Sequence, residues 1–529
     1  MTQTKLTDIQ PKKEEKTKAE EFAKELRSVS VSEFFEKNRH LLGYDNPTKA
    51  LLTVVKEAVD NATDATEEAR ILPDILVKIE RLTENRFRVT IEDNGPGIVK
   101  QHIPSVFASL LYGSKFHRLR QSRGIQGLGI SSAVLYSQLT TGKSAKIISK
   151  ISPKKPANYY ELHINTLKNE PEIIKETEVS WQKDQGTKIE LELEANYQKG
   201  SRSVDNYLKQ VTIVNPHVTI TYINPENQKI IFSRATTELP IEPKQIKPHP
   251  YGIELGILIR MLKSSKYKKL KSFLTNEFSR ISSSIADEIL KKSNLEANAQ
   301  SSRIARQEAE NLLKVIKETK IRAPPLDCLS PIGSELLQKS LKKELNVDFC
   351  EAVTRSPSVY RGFPFQIECL IAYGGSLESD KPVQLLRFAN KVPLLYQQSA
   401  CTITKAVIST KWNSYGLSQS KSSLPTGPAL ILVHIASVWV PFTSESKEAI
   451  AHYPEILKEI KLALQECGRK LGIFIRRNKK VAQEQKKKEY ITIFIPHILT
   501  GLREILNLKQ PQENKIEKNL KEILEKSRQ

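Results

Sequence analysis

The chain of 529 residues is poor in the side chains that build disulfide frameworks and metal sites. Its five cysteines lie far apart and form no CxxC pair, which argues against a zinc ribbon or a disulfide-bonded scaffold. The nine histidines form no HExxH pattern, and no Asp-x-Asp pair occurs anywhere in the sequence. We expect the cysteines to be small buried hydrophobic residues. They are Cys328, Cys350, Cys369, Cys401 and Cys467.

Long apolar segments are missing as well. The longest, residues 429–442, is interrupted by His434 and Ser437 and falls short of the roughly 20 residues that a membrane-spanning helix needs. We expect it to be a buried strand. The charged N-terminus has no apolar core of a signal peptide. These absences predict a cytoplasmic protein that does not contact a membrane.

Acidic side chains are in deficit, since 82 lysines and arginines face 60 aspartates and glutamates and give a net charge of +22. A field of this sign favours a polyanionic partner such as nucleic acid. A lysine-rich surface with no such partner is equally compatible with the charge. Charge alone therefore leaves both alternatives open.

The pattern of apolar residues predicts an α+β protein. Period-two alternation at residues 87–91 and 189–193 predicts strands, and residues 48–69 have the pattern of a helix. Strand-like runs return at residues 365–372 and 384–388. The first 240 residues therefore predict a mixed sheet with helices on one face.

Two proline-rich segments divide the chain. Residues 240–250 form the first linker, and Pro324 and Pro325 mark the second. Residues 251–320 between them have an all-helical pattern. Helical periodicity follows again at residues 449–471, ahead of a charged and helix-prone tail. The chain is therefore expected to contain several domains.

The first strong helix carries Glu57, Asn61 and Asp64 at positions i, i+4 and i+7, which lie on one face. A carboxylate there can take a proton from water, and an amide oxygen can complete the shell of a Mg²⁺ ion held by phosphate oxygens. Taken alone, the same pattern also fits a solvated polar face.

Asp93 follows a predicted strand directly and opens the sequence DNGPGI, in which Gly95 and Gly97 permit a tight turn. Its carboxylate can accept a hydrogen bond from an exocyclic amine such as that of adenine. The Thr187 hydroxyl, at the start of another predicted strand, can bond the base or a water beside Asp93. Taken alone, these residues also fit ordinary turns.

A glycine-rich bend, residues 124–129, precedes an apolar helix predicted over residues 130–139. Free amides at a helix N-terminus bind phosphate. The glycine order is neither that of a Rossmann fingerprint nor that of a Walker A loop. Polar residues just upstream can fold over the phosphates as a lid. They are Ser114, Lys115, Arg118, Arg120 and Arg123.

In this order and spacing, the motifs resemble the ATP pocket of the GHKL group, which includes gyrase B, the ninety-kilodalton heat-shock chaperones, histidine kinases and MutL. The resemblance covers about residues 48–195 and implies a Bergerat sandwich that binds ATP and Mg²⁺. It implies Glu57 as general base, Asn61 as Mg²⁺ ligand and Asp93 as the residue that recognises adenine. The remaining nucleotide-binding residues that it implies are Gly97, Ser114, Lys115, Gly124, Ile125, Gln126, Gly127, Leu128, Gly129, Ile130, Ser131 and Thr187.

Longer segments resemble the B subunits of type IIB DNA topoisomerases (topoisomerase VI) and span about residues 29–471 in consistent order. They are SEFFEKNRHLLGYDNPTKALLTVVKEAVDNATDA, YGSKFHRLRQSRGIQGLGISSAVLYSQ, KPHPYGIELGIL, LLRFANKVPLLY and VHIASVWVPFTSESKEAI. This resemblance implies a series of domains. They are a charged N-terminal tail (1–28), a GHKL ATPase domain with an N-terminal strap (29–247), a helix–two-turns–helix domain (248–325), an α/β transducer domain with a long C-terminal helix (326–475) and a charged helical tail (476–529).

The same resemblance implies that Lys447, in PFTSESKEAI, reaches from the transducer to the γ-phosphate of ATP as a catalytic sensor. Lys421, in Gln419-Ser-Lys421, resembles the lysine loop of gyrase relatives and is the weaker candidate. Some family members carry Trp-Lys-x-Tyr in a loop linked to DNA sensing. Here the loop departs from that pattern, and we expect Trp412 and Tyr415 to pack structurally.

The resemblance also implies partners. ATP-bound B subunits would dimerise through their ATPase domains, with the segment before Thr48 exchanged between them, and close around double-stranded DNA in the nucleoid. Strand cleavage would come from the A subunit of an A2B2 heterotetramer, which relaxes supercoils and decatenates DNA. Basic residues that either touch DNA phosphates or form solvated faces are Lys263, Lys266, Lys268, Lys269, Lys271, Arg476, Arg477, Lys479 and Lys480.

Rival functions share parts of these patterns. A MutL-like or chaperone-like GHKL clamp has the same pocket, but should lack the KPHPYG and LLRFANKVPLLY segments. A histidine kinase needs a phospho-acceptor helix ahead of the pocket, and none is recognisable. A scaffold that no longer hydrolyses ATP is expected to have lost Glu57 or Asn61, and both are present.

Overall fold

The computed structural model describes residues 28–115, 118–124, 127–444, 446–507 and 509–526, together with Lys18 and Phe22. The predicted N-terminal tail over residues 1–28 lies almost entirely outside this part of the chain. So do the predicted nucleotide-binding residues Ile125 and Gln126.

The first half of the chain forms an eight-stranded mixed sheet in the order β5-β4-β3-β6-β2-β1-β7-β8. Neighbouring strands are antiparallel except β1 and β7, which are parallel. The period-two segments predicted as strands are β2 and β6. The strands are β1 (Asp74–Arg81), β2 (Arg86–Glu92), β3 (Ala145–Lys150), β4 (Ala157–Asn165), β5 (Glu170–Val179), β6 (Gly186–Glu194), β7 (Thr219–Ile223) and β8 (Lys229–Phe232).

Helices cover one face of this sheet and bury a common apolar core with it. The central one begins at Pro47, where the Asn46 side chain accepts a hydrogen bond from the amide of Lys49 at 2.8 Å. This confirms the helix predicted over residues 48–69. The helices of this half are α1 (Val31–Lys37), α2 (Pro47–Glu68), α3 (Ile103–Ala108), α4 (Gly129–Thr141) and α5 (Val204–Val214).

The segment before α2 folds back on its own domain. The Ser32 hydroxyl donates to Asn169 Oδ1 at 2.8 Å, and the Tyr44 ring stacks on Tyr136 of α4 with centroids 4.7 Å apart. Leu42 and Tyr44 are buried in the domain core. The predicted strap is therefore attached to the helix layer that carries the glycine-rich bend.

Residues 251–320 are helical, as predicted, and have an apolar core of their own. Their amphipathic helices point Leu258, Phe273, Ile289 and Leu312 inward. The helices are α6 (Leu255–Ser264), α7 (Leu270–Glu277), α8 (Ser283–Ser293) and α9 (Arg306–Glu318).

The last part of the chain builds a second sheet of six strands, in the order β10-β11-β14-β12-β13, with β9 also paired to β11. Strands β11 and β14 are almost wholly buried because helices cover both faces. The elements are α10 (Ser334–Glu344), β9 (Phe349–Thr354), β10 (Ser358–Tyr360), β11 (Phe363–Tyr373), β12 (Gln384–Ala389), β13 (Val392–Pro393), α11 (Thr402–Ile408), β14 (Ala429–Ser437), α12 (Pro454–Leu506) and α13 (Gln510–Lys526).

Two predicted elements have different limits in the structure. The strand predicted over residues 429–442 ends at Ser437, whose hydroxyl donates to the carbonyl oxygen of Trp439 and turns the chain away from the sheet. The helix predicted over residues 449–471 begins only at Pro454 and continues to Leu506. The predicted boundary between residues 475 and 476 therefore falls inside one continuous helix.

All five cysteines are buried, as predicted, and burial raises the pKa of the Cys350 thiol to about 11. Within the described residues, no helix combines the length and apolar character that crossing a bilayer requires.

Candidate active site

A cavity of about 330 Å³ lies between α2, the N-terminus of α4, the ends of β2 and β6, and the loop that precedes α12. It brings together residues as distant in the sequence as Leu42 and Lys447. The predicted site residues that line it are Glu57, Asn61, Asp93, Gly97, Ser114, Lys115, Gly124, Gly127, Leu128, Gly129, Ile130, Thr187 and Lys447.

Helix α2 presents Glu57 and Asn61 to the cavity, next to the apolar surface of Ala58 and Ala62. Asp64, predicted on the same face, does not line the cavity. It is buried and accepts hydrogen bonds from Lys115 Nζ at 2.5 Å and from Arg123 Nη1 at 2.6 Å. Burial alone would raise the pKa of Asp64, but the two cations hold it below its usual value.

Asp93 lies at the end of β2 and is only 8% exposed. Its Oδ1 accepts hydrogen bonds from the amides of Gly95 at 2.8 Å and Thr187 at 3.2 Å. Burial raises the pKa of Asp93 to about 6, although these two bonds oppose the rise. The Thr187 hydroxyl lies 3.3 Å from the hydroxyl of Ser149. This end of the cavity therefore offers a fixed carboxylate, a hydroxyl and apolar walls.

Two glycines allow the backbone to approach closely at the cavity. Gly97 has φ +69°, and a Cβ atom there would lie 2.2 Å from the carbonyl oxygen of Lys150. Gly129 is the first residue of α4, and a Cβ atom there would lie 2.0 Å from Glu57 Oε2. The N-terminus of α4 is thus in contact with the Glu57 carboxylate, an arrangement that the helix dipole favours.

Lys447 enters the cavity from the loop between β14 and α12. Its Nζ donates to the carbonyl oxygen of Arg123 at 3.3 Å, next to Gly124. Neighbouring loop residues are attached to α2, because Glu448 pairs with Lys49 at 2.6 Å and the Ser446 carbonyl accepts from Lys56 Nζ at 3.1 Å. The loop therefore connects the second sheet to the cavity.

The arginines predicted in a phosphate lid bind carboxylates instead. Arg123 is buried and pairs with Asp64 and Glu67 at 2.6 Å each, while Arg120 pairs with Glu68 at 2.8 Å. Arg118 lies 3.9 Å from the same Glu68. These three arginines thus face three carboxylates on the last turns of α2, and opposite charges at this distance attract one another. Ser114 and Lys115 do line the cavity.

Some predicted residues lie elsewhere. Ser131 is buried, its hydroxyl donates to the Leu128 carbonyl, and it does not line the cavity, whereas its neighbour Ser132 does. Lys421 is exposed and does not line the cavity. Trp412 is fully buried, with Nε1 donating to Val407 O at 2.7 Å, in agreement with the predicted packing role.

Several lining residues carry no signal in the sequence. Leu42 from the strap and Thr53 from α2 reach the cavity, as do Tyr112 and Ser446. For Tyr112 and Ser446, the only clue in the sequence is that they lie next to the predicted residues Ser114 and Lys447, respectively. Apolar and hydroxyl side chains of this kind line a cavity without following any fixed spacing along the sequence.

The donor set limits what metal the cavity can hold. Among the described residues, no three histidine, cysteine or acidic side chains converge as a metal cluster. Asn61 and Glu57 line the cavity beside the N-terminus of α4, whereas the other lining carboxylate, Asp93, lies at the end of β2. This set fits Mg²⁺, which keeps several waters and is held by one or two protein oxygens plus phosphates.

Comparisons with known proteins agree with this geometry. Residues 46–197 match the model of the histidine kinase-, DNA gyrase B- and HSP90-like ATPase family, and residues 324–488 match that of the topoisomerase VI B subunit transducer. The type 2 DNA topoisomerase 6 B subunit of Methanococcoides burtonii is 51% identical over 499 residues, covering 94% of this chain and 80% of the relative. The chain belongs to the family of topoisomerase VI B subunits.

Other relatives carry the same name. For the one from Archaeoglobus fulgidus, the match is 51% identical and covers 92% of this chain and 81% of the relative. For the one from Pyrococcus horikoshii, it is 36% identical and covers 91% of this chain and 94% of the relative. The B-subunit of the DNA gyrase from Myxococcus xanthus covers 83% of this chain and 95% of its own, with 10% identity and a TM-score of 0.41. As a topoisomerase VI B subunit, the chain is the ATPase component of an ATP-dependent type II DNA topoisomerase. The predicted family and the predicted combination of a GHKL ATPase fold with a transducer are confirmed.

Proposed function

We propose that ATP binding in the cavity brings two copies of the chain together through their ATPase domains and closes them around a DNA duplex. Hydrolysis then reopens this gate. The observation that carries the proposal is one cavity lined by Glu57 and Asp93 from the first sheet domain and by Lys447 from the second. A ligand that fills it necessarily contacts both domains.

Each cavity residue has a role that its surroundings support. The Asp93 carboxylate accepts a hydrogen bond from the exocyclic amine of adenine. Hydrogen bonds from the Gly95 and Thr187 amides hold this carboxylate in position. Glu57 takes the proton from the attacking water. Backbone amides of the described part of the bend and of the α4 N-terminus donate hydrogen bonds to the phosphates, together with the side chains of Ser114 and Lys115.

Asn61 supplies an oxygen ligand to Mg²⁺, which, when bound, neutralises charge on the phosphates. Lys447 pairs with the γ-phosphate and thereby distinguishes ATP from ADP. In this structure the Lys447 ammonium has the Arg123 carbonyl as its hydrogen-bond partner at 3.3 Å, a modest bond for a cation. A phosphate oxygen is the stronger partner, so ligand binding would move the loop that carries Lys447.

The proposed assembly contains two copies of this chain and two copies of a DNA-cleaving A subunit. The name of the relatives, which are B subunits, supports a partner chain. DNA would pass through the break that the A subunit makes, which relaxes supercoils. The domains proposed to perform these steps keep the limits 29–247, 248–325, 326–475 and 476–529, with α12 passing from the transducer into the tail.

Contacts to the captured DNA would be made with phosphates. Lys263, Lys266, Lys268 and Lys269 of the helical domain are exposed, whereas Lys271 pairs with Asp287 at 2.7 Å. The second basic cluster, which lies on α12, is exposed as well; it consists of Arg476, Arg477, Lys479 and Lys480. Contacts of this kind predict an affinity that falls steeply with salt concentration.

The test is ATP-dependent relaxation of supercoiled plasmid by the chain mixed with an A subunit of its family. We expect relaxation with ATP and Mg²⁺, and none when ATP is omitted or when Asp93→Asn replaces the natural chain. ATP hydrolysis without relaxation in a complex with the A subunit would contradict the topoisomerase mechanism. It would favour a clamp that only holds DNA.

A further inference from the structure

The turn between β12 and β13 has an unusual backbone. Its two residues, Asn390 and Lys391, have φ values of +47° and +67°, and the flanking Ala389 and Val392 are paired. Two left-handed residues define a type I′ hairpin turn, which normally takes Asn-Gly and lies in solvent. Here a lysine occupies the glycine position, and both side chains are buried, at 5% exposure each. Such strain persists only where other contacts hold it in place.

The Asn390 side chain bridges the transducer and the nucleotide site. Its Nδ2 donates to the carbonyl oxygen of Ser437 in the second sheet at 2.9 Å and to that of Ser122 at 2.9 Å. Its Oδ1 accepts from the Ser437 amide at 2.8 Å. Ser122 belongs to the segment 121–124, which leads directly into the cavity at Gly124. One side chain thus joins the sheet to the stem of the glycine-rich bend.

The rest of this segment is held from both sides. Gln121 exchanges two hydrogen bonds with the backbone of Ser330, at 2.7 and 3.2 Å. The Arg123 guanidinium binds Asp64 and Glu67 of α2, while its carbonyl accepts from Lys447. The segment is therefore the place where α2, the Lys447 loop and the second sheet meet.

Lys391 extends the same contact. Its amide donates to His434 Nε2 at 3.0 Å, and its Nζ donates to Ser330 Oγ at 3.1 Å. Because His434 Nε2 accepts the Lys391 amide hydrogen, its Nδ1–H donates to Glu368 Oε2 at 2.8 Å, so the turn is tied to a buried, hydrogen-bonded His–Glu pair in the centre of the second sheet. Burial lowers the pKa of Lys391, although the nearby Glu67 opposes this.

We propose that the Asn390–Lys391 turn is a second point of transmission between nucleotide and transducer, separate from Lys447. Asn390 acts as a positioning residue: through the Ser122 carbonyl, it holds segment 121–124 where Gly124 and the Arg123 carbonyl can serve the pocket. Movement of the second sheet would then move Gly124 and the Arg123 carbonyl directly. The inference rests on the proposed ATP site.

The test compares the 529-residue chain with Asn390→Ala, Lys391→Met and a matched control, Asn227→Ala. Asn227 is also a left-handed asparagine in a hairpin turn, with φ +60°, but it is exposed and lies outside the cavity. Affinities for a non-hydrolysable ATP analogue and for ADP would be measured by calorimetry. Hydrogen exchange would be followed at residues 118–124, and melting temperature in parallel.

We expect Asn390→Ala to lower the ratio of analogue affinity to ADP affinity about fivefold, as loss of the one hydrogen bond to the Ser122 carbonyl predicts, and to speed exchange at residues 121–124. Lys391→Met should shift both readouts in the same direction, and Asn227→Ala should change neither. A lower melting temperature with an unchanged ratio and unchanged exchange in both variants would overturn the inference. Lys391→Met alone decides the outcome where Asn390→Ala does not fold. A wild-type chain that does not bind the analogue would overturn the proposed function as well, whereas a normal ratio in an active variant overturns only the inference.

Discussion

Glu57 lies one helical turn before Asn61 on α2, and its carboxylate lies against Gly129, the first residue of α4. The Lys56 side chain on the same helix as Glu57 is only 12% exposed, and desolvation lowers the pKa of its ammonium. Asp60, one turn further, is buried too, and its pKa is raised to about 6 mainly by burial and by the nearby Glu57. Chemistry at this site therefore depends on charges that solvent screens poorly.

Glu57→Gln is expected to bind ATP with near-natural affinity but to hydrolyse it roughly 10²- to 10⁴-fold more slowly, the range typical of a lost general base. Steady-state ATPase assays and nucleotide titration separate the two effects. Glu68→Gln, on the same helix but half-exposed and outside the cavity, should hydrolyse ATP normally. Normal turnover by Glu57→Gln would show that another group takes the proton.

Gly129→Ala tests the contact between α4 and the carboxylate. The added methyl would lie 2.0 Å from Glu57 Oε2, so the carboxylate must move and turnover should fall at least tenfold. Gly256→Ala in α6 meets no atom within 4 Å and serves as the control, with unchanged ATPase activity. Equal activity of the two variants would mean that the position of Glu57 does not limit hydrolysis.

At the scale of single residues, the sequence was most informative where chemistry requires a particular side chain at a particular spacing. Glu57, Asn61, Asp93 and Gly97 all line the cavity. Asp64 shares the helical spacing but pairs with Lys115 and Arg123 and does not line the cavity. These ion pairs depend on tertiary contacts, which no sequence motif encodes. The roles of these residues stay predictions until they are measured.

Among the elements, the segment 118–124 departs most from what its composition suggests. Its arginines face the carboxylates of α2, and Arg123 is 7% exposed between Asp64 and Glu67. Burial would raise the pKa of Glu67, but Arg123 first and Lys391 second hold it well below its usual value. This part of the fold is an ion-pair network that joins the pocket helix to the glycine-rich bend.

Arg123→Met is expected to destabilise the chain by about 3–5 kcal/mol at pH 7, because Asp64 and Glu67 lose the cation that they share and keep only Lys115 and His217, respectively, as partners. In the natural protein, the lowered pKa values of Asp64 and Glu67 stabilise the fold above pH 4 or so, and that contribution is lost only in more acid solution. In the variant, burial would raise these pKa values. The variant should therefore recover stability as the pH falls from 7 to 5.

Melting temperatures of both proteins at pH 7 and pH 5 provide the measurement. Arg120→Met is the control, since its partners Glu68 and Glu242 are 40% and 58% exposed and such pairs contribute at most about 1 kcal/mol. A destabilisation of Arg123→Met that does not change with pH would contradict the assigned charge network.

Element types were predictable and element limits were not. Apolar periodicity identified α2, β2, β6 and the helical domain. The end of β14 depends on the hydroxyl of Ser437 and on the turn that follows, which a period of two cannot reveal. Likewise, α12 buries one face in the transducer core only from Ile456 to Ile475. Its charged continuation beyond Arg476 is helical because its residues have high helix propensity, so apolar periodicity does not reveal where the helix ends.

Considered as a whole, the molecule places its ATP cavity at the junction of two sheets and extends a long helix away from the second. Helix α12 has 53 residues, about 80 Å at 1.5 Å per residue. Its side chains are buried at regular helical spacing from Ile456 to Ile475. From Arg476 to Phe494 the described side chains are exposed. The distal part therefore does not stabilise the transducer core.

The distal part of α12 carries exposed apolar side chains. Ile493 is 64% exposed, Phe494 42% and Ile505 78%, while Ile495 and Leu499 are buried. An apolar surface of this kind on a helix that projects from its domain suits a partner chain. We expect it to be where the A subunit binds, so that displacement of the transducer is carried along the helix to the DNA-cleaving chain.

A chain that ends at residue 478 tests this arrangement. It retains every buried residue of the transducer core on α12, so it should fold and bind ATP as the full chain does. It should fail to co-purify with the A subunit and should not relax supercoiled plasmid in its presence. As a control, Ile473→Ser changes an exposed residue of the retained part, 61% exposed, and should leave the complex intact. If the shortened chain still formed the complex and relaxed DNA, the contact with the A subunit would have to lie on the ATPase, helical or transducer domain, and the long helix would be dispensable for transmitting the motion.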